Sequence, residues 1–356
     1  MGNFSIGKHK IEFGQKLYFI ADIAANHNGD LEHAFKLIEL AKESGAHAAK
    51  FQNFHANNIV SKLGFDSPGI PHAHQSRWKK SVVEIYDEAS ISFDWTQKLK
   101  EKCQELQIEY FTSPYDFESV DHVDPYVNVY KIGSGDVTWH GIIEYIAKKG
   151  KPILIATGAS TMNDVQMAMD LILKRTSDVV LMQCNTNYTA QRENFNFINL
   201  NVLKTYANLY PDIVLGLSDH TYGHTTVLGA IALGARVFEK HFTDDNDQDG
   251  PDHKFSMNPR TWREMVERAE ELYMALGDGI KKIEDNERET AIVQRRCFRY
   301  TKSIKAGNVI MEEDIIPLRP RDPLGIPPFE AQKVIGMTLK RNVIIDNIVQ
   351  WEDMEL

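Results

Sequence analysis

Residues 213–243 read IVLGLSDHTYGHTTVLGAIALGARVFEKHFT, and the order of residue types in this stretch decides the fold class. Ile213 to Leu217 is a near-continuous apolar run, the mark of a strand buried on both faces as in a parallel sheet. Tyr222 to Ala232 carries apolar residues at helical spacing. A second buried run, Arg236 to Lys240, follows. Both runs stop in polar clusters, Ser218-Asp219-His220 and His241-Phe242-Thr243, so each strand delivers its reactive side chains at its C-terminal end.

The same unit repeats outward along the chain. Six further runs, Tyr18 to Ala24, His47 to Phe51, Glu109 to Thr112, Val129 to Ile132, Pro152 to Ala156 and Val179 to Met182, bring the number of strands to eight. Leu31 to Ser44, Phe93 to Leu106 and Asn163 to Lys174 have helical periodicity. Eight β-then-α units in about 280 residues predict an α/β protein built as a closed (β/α)8 TIM barrel. The remaining strand ends are polar too: Asp22 with Asn26-His27, Lys50-Phe51-Gln52, Thr112-Ser113-Pro114, Lys131 with Ser134 and Asp136, Thr157-Gly158, and Asn185 to Tyr188. In a barrel all of these converge on one mouth.

A helix from Pro259 to Leu276 closes the barrel, and Gly277 to Glu289 reads as a charged connection. From about Arg295 short apolar runs alternate with turns. We therefore expect a barrel domain at 1–282, a linker at 283–294 and a small domain at 295–356. A unit of about 60 residues is marginal alone and should lean on a barrel.

The 356 residues are 42% hydrophobic and 25% charged, with a formal charge of -10. That balance offers no basic footprint for nucleic acid. No secretory h-region and no run of about 18 apolar residues is present, which points away from membranes and toward the cytoplasm. Cys103, Cys184 and Cys297 have no metal-ligand spacing and read as reduced core thiols.

The residues with chemistry follow from the strand ends. His220 and His241 end adjacent strands, where two neutral imidazoles can meet at one divalent cation and leave positions for water and substrate. The alternative is a pair of hydrogen-bonded core histidines. Lys50 and Lys131 end strands where a buried cation is costly unless it meets an anion. They cradle a phosphate and a carboxylate together with Ser113, Ser134, Thr186 and Ser218, or they pair structurally with Asp22, Asp136 or Asp219. Asp22, Asp136 and Asp252 can bind hydroxyls or move protons. The run Asp244 to Asp249 lacks the spacing of an EF-hand loop and reads as a solvated loop. Arg77, Trp78, Lys79 and Lys80 lie in the long connection after the second strand, as a basic lid or as an exposed face.

The words IADIAANHNGD (20–30), AKFQNF (49–54), YKIGSGD (130–136), GLSDHT (216–221) and EKHFTDDNDQDGPD (239–252) stand in this order, with LRPRDPLGIPP (318–328) near the end. Together they closely resemble the N-acetylneuraminate (sialic acid) synthase family over nearly the whole chain, with an antifreeze-like (SAF) domain at the C-terminus. The resemblance implies an enzyme of sialic acid biosynthesis, a carbon–carbon bond-forming transferase. It would condense phosphoenolpyruvate with an open-chain N-acylated hexose such as N-acetylmannosamine, giving a nine-carbon 2-keto sugar acid and phosphate. It also implies a domain-swapped homodimer in which each small domain covers the partner's barrel mouth. By the same resemblance His220 and His241 hold Mn2+, or Mg2+ or Co2+, while Lys50, Lys131, Ser113, Ser134, Thr186 and Ser218 hold phosphoenolpyruvate. Asp22, Gln52, Asp136, Tyr188 and Asp252 face the sugar or the attacking water, and Arg319 reaches the acyl group from the other protomer.

Two departures bear on the substrate. Many members carry Glu where this chain has Asp22 and Asp136, each shorter by one methylene and so by about 1.5 Å of reach. Gln183-Cys-Asn-Thr-Asn-Tyr-Thr189 replaces the more usual His-Cys-Thr-Asn-x-Tyr-Pro, leaving Asn185 and Asn187 as rivals of Thr186 for the phosphate. The alternatives are a phosphoenolpyruvate-dependent synthase for a different sugar, legionaminate-type or 6-phosphorylated, and a metal-dependent barrel lyase or hydrolase that does not use phosphoenolpyruvate. The two strand-end lysines count against the latter.

Overall fold

Strands read as apolar on both faces need cover on both sides, and the structure supplies it. The computed structural model describes residues 4–6, 9–11, 17–67, 80–189 and 191–355. The chain divides into two units, 1–277 and 278–356. In the first, eight parallel strands run β1 (Tyr18–Asp22), β2 (Ala48–Asn53), β3 (Glu109–Pro114), β4 (Tyr130–Ile132), β5 (Ile153–Ala156), β6 (Val179–Cys184), β7 (Val214–Asp219) and β8 (Val237–His241). Their order in the sheet is β3-β2-β1-β8-β7-β6-β5-β4. Strands β3 and β4 lie alongside each other, so the sheet nearly closes into the expected barrel.

Around it stand α1 (Leu31–Glu43), α2 (Phe93–Glu105), α3 (Phe117–Val123), α4 (His140–Lys148), α5 (Met162–Leu173), α6 (Val202–Leu209), α7 (Thr225–Ala232) and α8 (Pro259–Ala275). Local chemistry starts several of them. Asp30 accepts from the backbone N–H groups of Glu32 and His33 at the head of α1, and Thr161 with Asp164 forms a reciprocal cap on α5. Such caps satisfy donors that the first helical turn leaves unpaired. Helix α8 begins at Pro259 behind an Asn258 cap, and its fully buried Trp262 meets Phe242 edge-on at 5.5 Å. Phe4 and Ile6, from a short antiparallel ladder before the barrel, pack into the same core.

Register places the polar strand ends at one level. Asp22 lies beside Lys50 across β1 and β2, and His241 lies beside Asp22 across β8 and β1. Across β7 and β8, Ser218 sits opposite Glu239 and Asp219 opposite Lys240. Because strand side chains alternate, the first pair faces the barrel interior and the second faces outward.

The second unit pairs β9 (Cys297–Tyr300) with β10 (Ile315–Leu318) in antiparallel register. Phe298, Ile310, Ile326, Val334, Leu339 and Val349 are among its core residues. A core this small gains from polar staples. Asp353, nearly fully buried, accepts from the Tyr300 hydroxyl at 3.1 Å and from Arg341 Nε at 2.7 Å. Residues 283–294 belong to this unit, and hold a 3-10 turn (Asp285–Glu287) and a short helix (Arg288–Val293). All three cysteines are free and buried. Among the described residues no helix is long and apolar enough to cross a membrane.

Candidate active site

The inward-facing side chains at the C-terminal ends of the barrel strands enclose a cavity of about 360 Å³. Its floor is a network of four buried charges. Lys50 Nζ lies 2.6 Å from Asp22 and 3.8 Å from Glu239. Lys131 Nζ lies 2.6 Å from the other Glu239 oxygen, which also accepts from the Ser218 hydroxyl at 3.0 Å. Each charge alone would be costly to bury; together they offset one another. Burial on its own would raise the Glu239 pKa, yet Lys131 and Lys50 hold it down at about 2. Burial likewise works against the Lys50 ammonium, and Asp22 and Glu239 more than compensate, so its pKa rises. Burial raises Asp22 in spite of the Lys50 charge.

Sequence reading had offered Asp22, Asp136 or Asp219 as structural partners for the two lysines. Asp22 takes Lys50, but the partner of Lys131 is Glu239, and Asp219 pairs with Lys240 instead. Glu239 was absorbed into the apolar run Arg236 to Lys240. Its signal was nonetheless present: a carboxylate inside a strand buried on both faces needs a partner, and it stands two residues before His241, on the same face.

The histidines form one wall. Their ring centroids are 5.3 Å apart, close to the roughly 5 Å expected of two imidazoles sharing one ion at ordinary metal–nitrogen distances. His220 Nδ1 lies 2.9 Å from the Asn185 carbonyl; donation there assigns the proton to Nδ1 and leaves the Nε2 lone pair free. His241 Nδ1 is buried without a hydrogen-bond partner, 3.7 Å from Asp252. Burial lowers both pKa values to about 3, so both rings are neutral, the form that binds metals. His253 makes the contrast: equally buried, it is engaged at Nδ1 by Thr243 (2.7 Å) and at Nε2 by Asn28 (3.1 Å). The donor set at His220 and His241 therefore fits a divalent ion with two protein ligands. Among the described residues no group of three His, Cys, Asp or Glu converges on one point. Tyr188 packs edge-on against His220 at 4.4 Å, and Phe255 against His241 at 4.9 Å.

Gln52, Asp136, Ser134, Tyr188 and Asp252 also line the cavity. Burial raises Asp136 to about 6; burial and then the Asp22 charge raise Asp252 to about 7. The Gly158 N–H donates to Ser134 Oγ at 2.9 Å, and a Cβ at Gly158 would stand 2.5 Å from the Thr186 methyl. Only glycine lets this loop close against Ser134. On the opposite side Phe54, Ile59, Ile85 and Ala89 make an apolar wall. Asp116, the cap of α3, ties that wall down by accepting from His55 N–H and Asn58 Nδ2, both at 3.2 Å.

Three expected site residues lie off the cavity lining. Ser113 is buried beside Gln52 in register, with its hydroxyl next to that of Tyr115. Thr186 sits behind Gly158. Its rivals are occupied elsewhere: the Asn185 amide donates to the Phe197 carbonyl at 3.3 Å, and Asn187 Oδ1 accepts from the Thr189 hydroxyl at 2.6 Å. Arg319 is exposed at the end of β10 in the second unit. In the acidic loop Asp244 accepts from Lys36 at 2.7 Å and meets His33 at 3.1 Å. Lys80 pairs with Glu88, and Arg77, Trp78 and Lys79 lie outside the described residues.

A near-closed parallel barrel with a charged, histidine-walled mouth is followed in this chain by a small second unit, and both parts match known families. The chain belongs to the NeuB family, whose model matches residues 37–281, and residues 295–355 match the SAF domain. An N,N'-diacetyllegionaminic acid synthase from Legionella pneumophila is 33% identical over 95% of this chain and 94% of its own length. The N-acetylneuraminate-9-phosphate synthase of Homo sapiens is 29% identical over 94% of this chain and 92% of its own. Among solved structures, the N-acetylneuraminic acid synthetase of Leptospira borgpetersenii in complex with citrate aligns with a TM-score of 0.71 at 25% identity, covering 81% of this chain and 94% of that one.

Proposed function

We propose that this enzyme condenses phosphoenolpyruvate with an open-chain N-acylated hexose to give a nine-carbon 2-keto sugar acid and inorganic phosphate. The observation that carries this reading is the pair of buried lysines, from β2 and β4 on either side of β3, aimed with two neutral histidines into one cavity. The four-charge floor is neutral as a set, so an anion reaching Lys50 and Lys131 takes over part of the role that Asp22 and Glu239 play without it. Ser134 and Ser218 add hydroxyl donors on the same side. The acceptor then lies toward Gln52, Asp136 and Asp252. A divalent ion, Mn2+ being our first choice, would be held by His220 and His241 and would supply Lewis acidity at the acceptor's aldehyde oxygen.

In the reaction the double-bond electrons of phosphoenolpyruvate form the bond from C3 to the aldehyde carbon and leave C2 cationic, while the carbonyl electron pair moves to the aldehyde oxygen, which takes up a proton and becomes the new hydroxyl. Water adds to C2, giving up a proton to a carboxylate, a role we assign to Asp22. The tetrahedral adduct expels phosphate and becomes the ketone. Lys50 and Lys131 offset the anionic charge at each stage.

The apolar wall of Phe54, Ile59, Ile85 and Ala89 favours an acceptor with an apolar distal end, such as 2,4-diacetamido-2,4,6-trideoxymannose, over a 6-phosphate. The test is phosphate release from phosphoenolpyruvate with Mn2+ and each of three acceptors: N-acetylmannosamine, its 6-phosphate and the diacetamido sugar. Release that needs both metal and one sugar supports the reading; no release with any of them overturns it. We further propose that Arg319 acts on the mouth of a second protomer. Mixed Arg319→Ala and His220→Ala chains should then regain activity in the same assay, and a mixture as inactive as its components rejects the shared site.

A further inference from the structure

One hydroxyl at the mouth belongs neither to the lysine floor nor to the histidine wall. Tyr115 directly follows β3, and its N–H donates to the Asn53 carbonyl at 3.0 Å. Its ring stands edge-on to Phe54 at 5.9 Å. The other ring edge lies against Gly133, where a Cβ would come within 2.9 Å of Cε1 and 3.0 Å of the hydroxyl oxygen. Glycine at 133 is therefore what lets the backbone after β4 rest on this ring. These contacts hold the ring in one plane, so its hydroxyl is oriented before substrate arrives.

That hydroxyl lies beside Ser113, with Lys50, Asp136 and Asp22 as its charged neighbours, and the residue lines the cavity. Burial keeps the phenol protonated, leaving it one donor and an acceptor. Among these charges Lys50 acts on the phenol first, with Asp136 and Asp22 after it, so the hydroxyl stands between the lysine floor and the acceptor side, where a neutral donor suits a sugar hydroxyl. The space above Gly135 is open, with nothing within 4 Å of where a Cβ would stand, and Tyr115, Gly135 and Asp136 line the same cavity.

We propose that Tyr115 is a substrate-positioning residue that hydrogen-bonds a hydroxyl of the sugar acceptor and so fixes how its aldehyde faces phosphoenolpyruvate. The assignment rests on the synthase reading given above. The test is Tyr115→Phe in the full-length enzyme, which keeps the ring and its packing on Gly133 and removes only the oxygen. Loss of one hydrogen bond to a neutral hydroxyl predicts about a tenfold fall in kcat/KM for the sugar. The KM for phosphoenolpyruvate should stay within about twofold, and the unfolding midpoint should not move, since a purely structural role would shift the midpoint and not split the two substrates. Monodeoxy acceptors add an independent measurement: one of them should lose activity with the wild type and lose nothing further with Tyr115→Phe, as expected of groups that touch. A variant that matches the wild type on the sugar, or whose defect falls on phosphoenolpyruvate, overturns the assignment of Tyr115 alone. A wild type that releases no phosphate with any acceptor overturns the synthase reading and this assignment with it.

Discussion

Strands β7 and β8 contribute carboxylates to two buried lysine–carboxylate systems on opposite faces, and they differ in how completely they are satisfied. On the outer side Lys240 pairs with Asp219, whose carboxylate also accepts from the Thr226 hydroxyl at 2.6 Å, the Thr221 hydroxyl at 2.8 Å and the Thr221 N–H at 3.2 Å. Lys240 also donates to the Thr221 carbonyl at 2.6 Å. On the inner side Glu239 keeps one oxygen without a hydrogen-bond partner, 3.8 Å from Lys50, and the group faces a cavity. Ser218 and Glu239 of the inner system lie on the same two strands as Asp219 and Lys240, while the inner lysines reach it from β2 and β4. Alternation alone sends one set toward α7 as a finished strut and the other to the mouth as an unfinished one. An unfinished charge network is what an incoming anion can complete.

The largest expected effect breaks the two apart. Lys131→Met should lower kcat/KM for phosphoenolpyruvate by roughly 10²–10³, the range for removing one preorganised donor at an active site. Lys240→Met should leave Asp219 buried without its cation and lower the unfolding free energy by about 3–5 kcal/mol. Its KM for phosphoenolpyruvate should change little. Urea unfolding and phosphate-release kinetics on both variants measure the contrast. If Lys240→Met impairs phosphoenolpyruvate turnover as much as Lys131→Met while remaining folded, the division into strut and site fails.

The same contrast explains what the sequence could and could not reveal. Lys50, Lys131, His220 and His241 were legible because each ends an apolar run, and a polar residue at that place in a barrel has one destination. Glu239 was not, because a single charge inside a strand is read as part of the strand until its neighbour across the sheet is known. Register supplies that neighbour, and register is a tertiary property. Asp252 was legible as a carboxylate able to bind hydroxyls or move protons, but its position was not, since a loop carries it to within 3.7 Å of His241. Tyr115 was hidden for a similar reason: the cluster Thr112-Ser113-Pro114 seemed to end the strand, and the close approach of Gly133 that exposes its role comes from a different strand.

A smaller effect concerns the acceptor side. Burial raises the Asp136 pKa to about 6, so this carboxylate is charged above that pH and neutral below it. If the charged form holds sugar hydroxyls, kcat/KM for the sugar should fall as pH drops through about 6, and Asp136→Asn should be flat across pH 5–7 at the low-pH level. Folding responds in the opposite sense. A carboxylate whose folded-state pKa lies above its unfolded value stabilises the fold most below the unfolded value and loses that contribution as pH rises through about 6. Asp136→Asn should therefore be more resistant to urea than the wild type at pH 7.5 and similar to it near pH 4. A wild-type profile with no change near pH 6 would remove Asp136 from the acceptor site.

The smallest expected difference compares two hydroxyls on equivalent carboxylates. Ser218 donates to Glu239 at 3.0 Å and Thr226 donates to Asp219 at 2.6 Å. Thr226→Val keeps shape and removes one donor from a carboxylate that retains Lys240 and Thr221. It should cost about 1–2 kcal/mol of stability, with both KM values within about twofold of the wild type. Ser218→Ala removes a hydroxyl that steadies the inner carboxylate, at the edge of a cavity where substrate can replace it. It should cost less than about 1 kcal/mol of stability and raise the KM for phosphoenolpyruvate by about fivefold, since charge-assisted hydrogen bonds are the stronger kind. Identical profiles for the two variants would mean that the Ser218 hydroxyl, like that of Thr226, only steadies its carboxylate, and that the anion is held by the lysines without help from it.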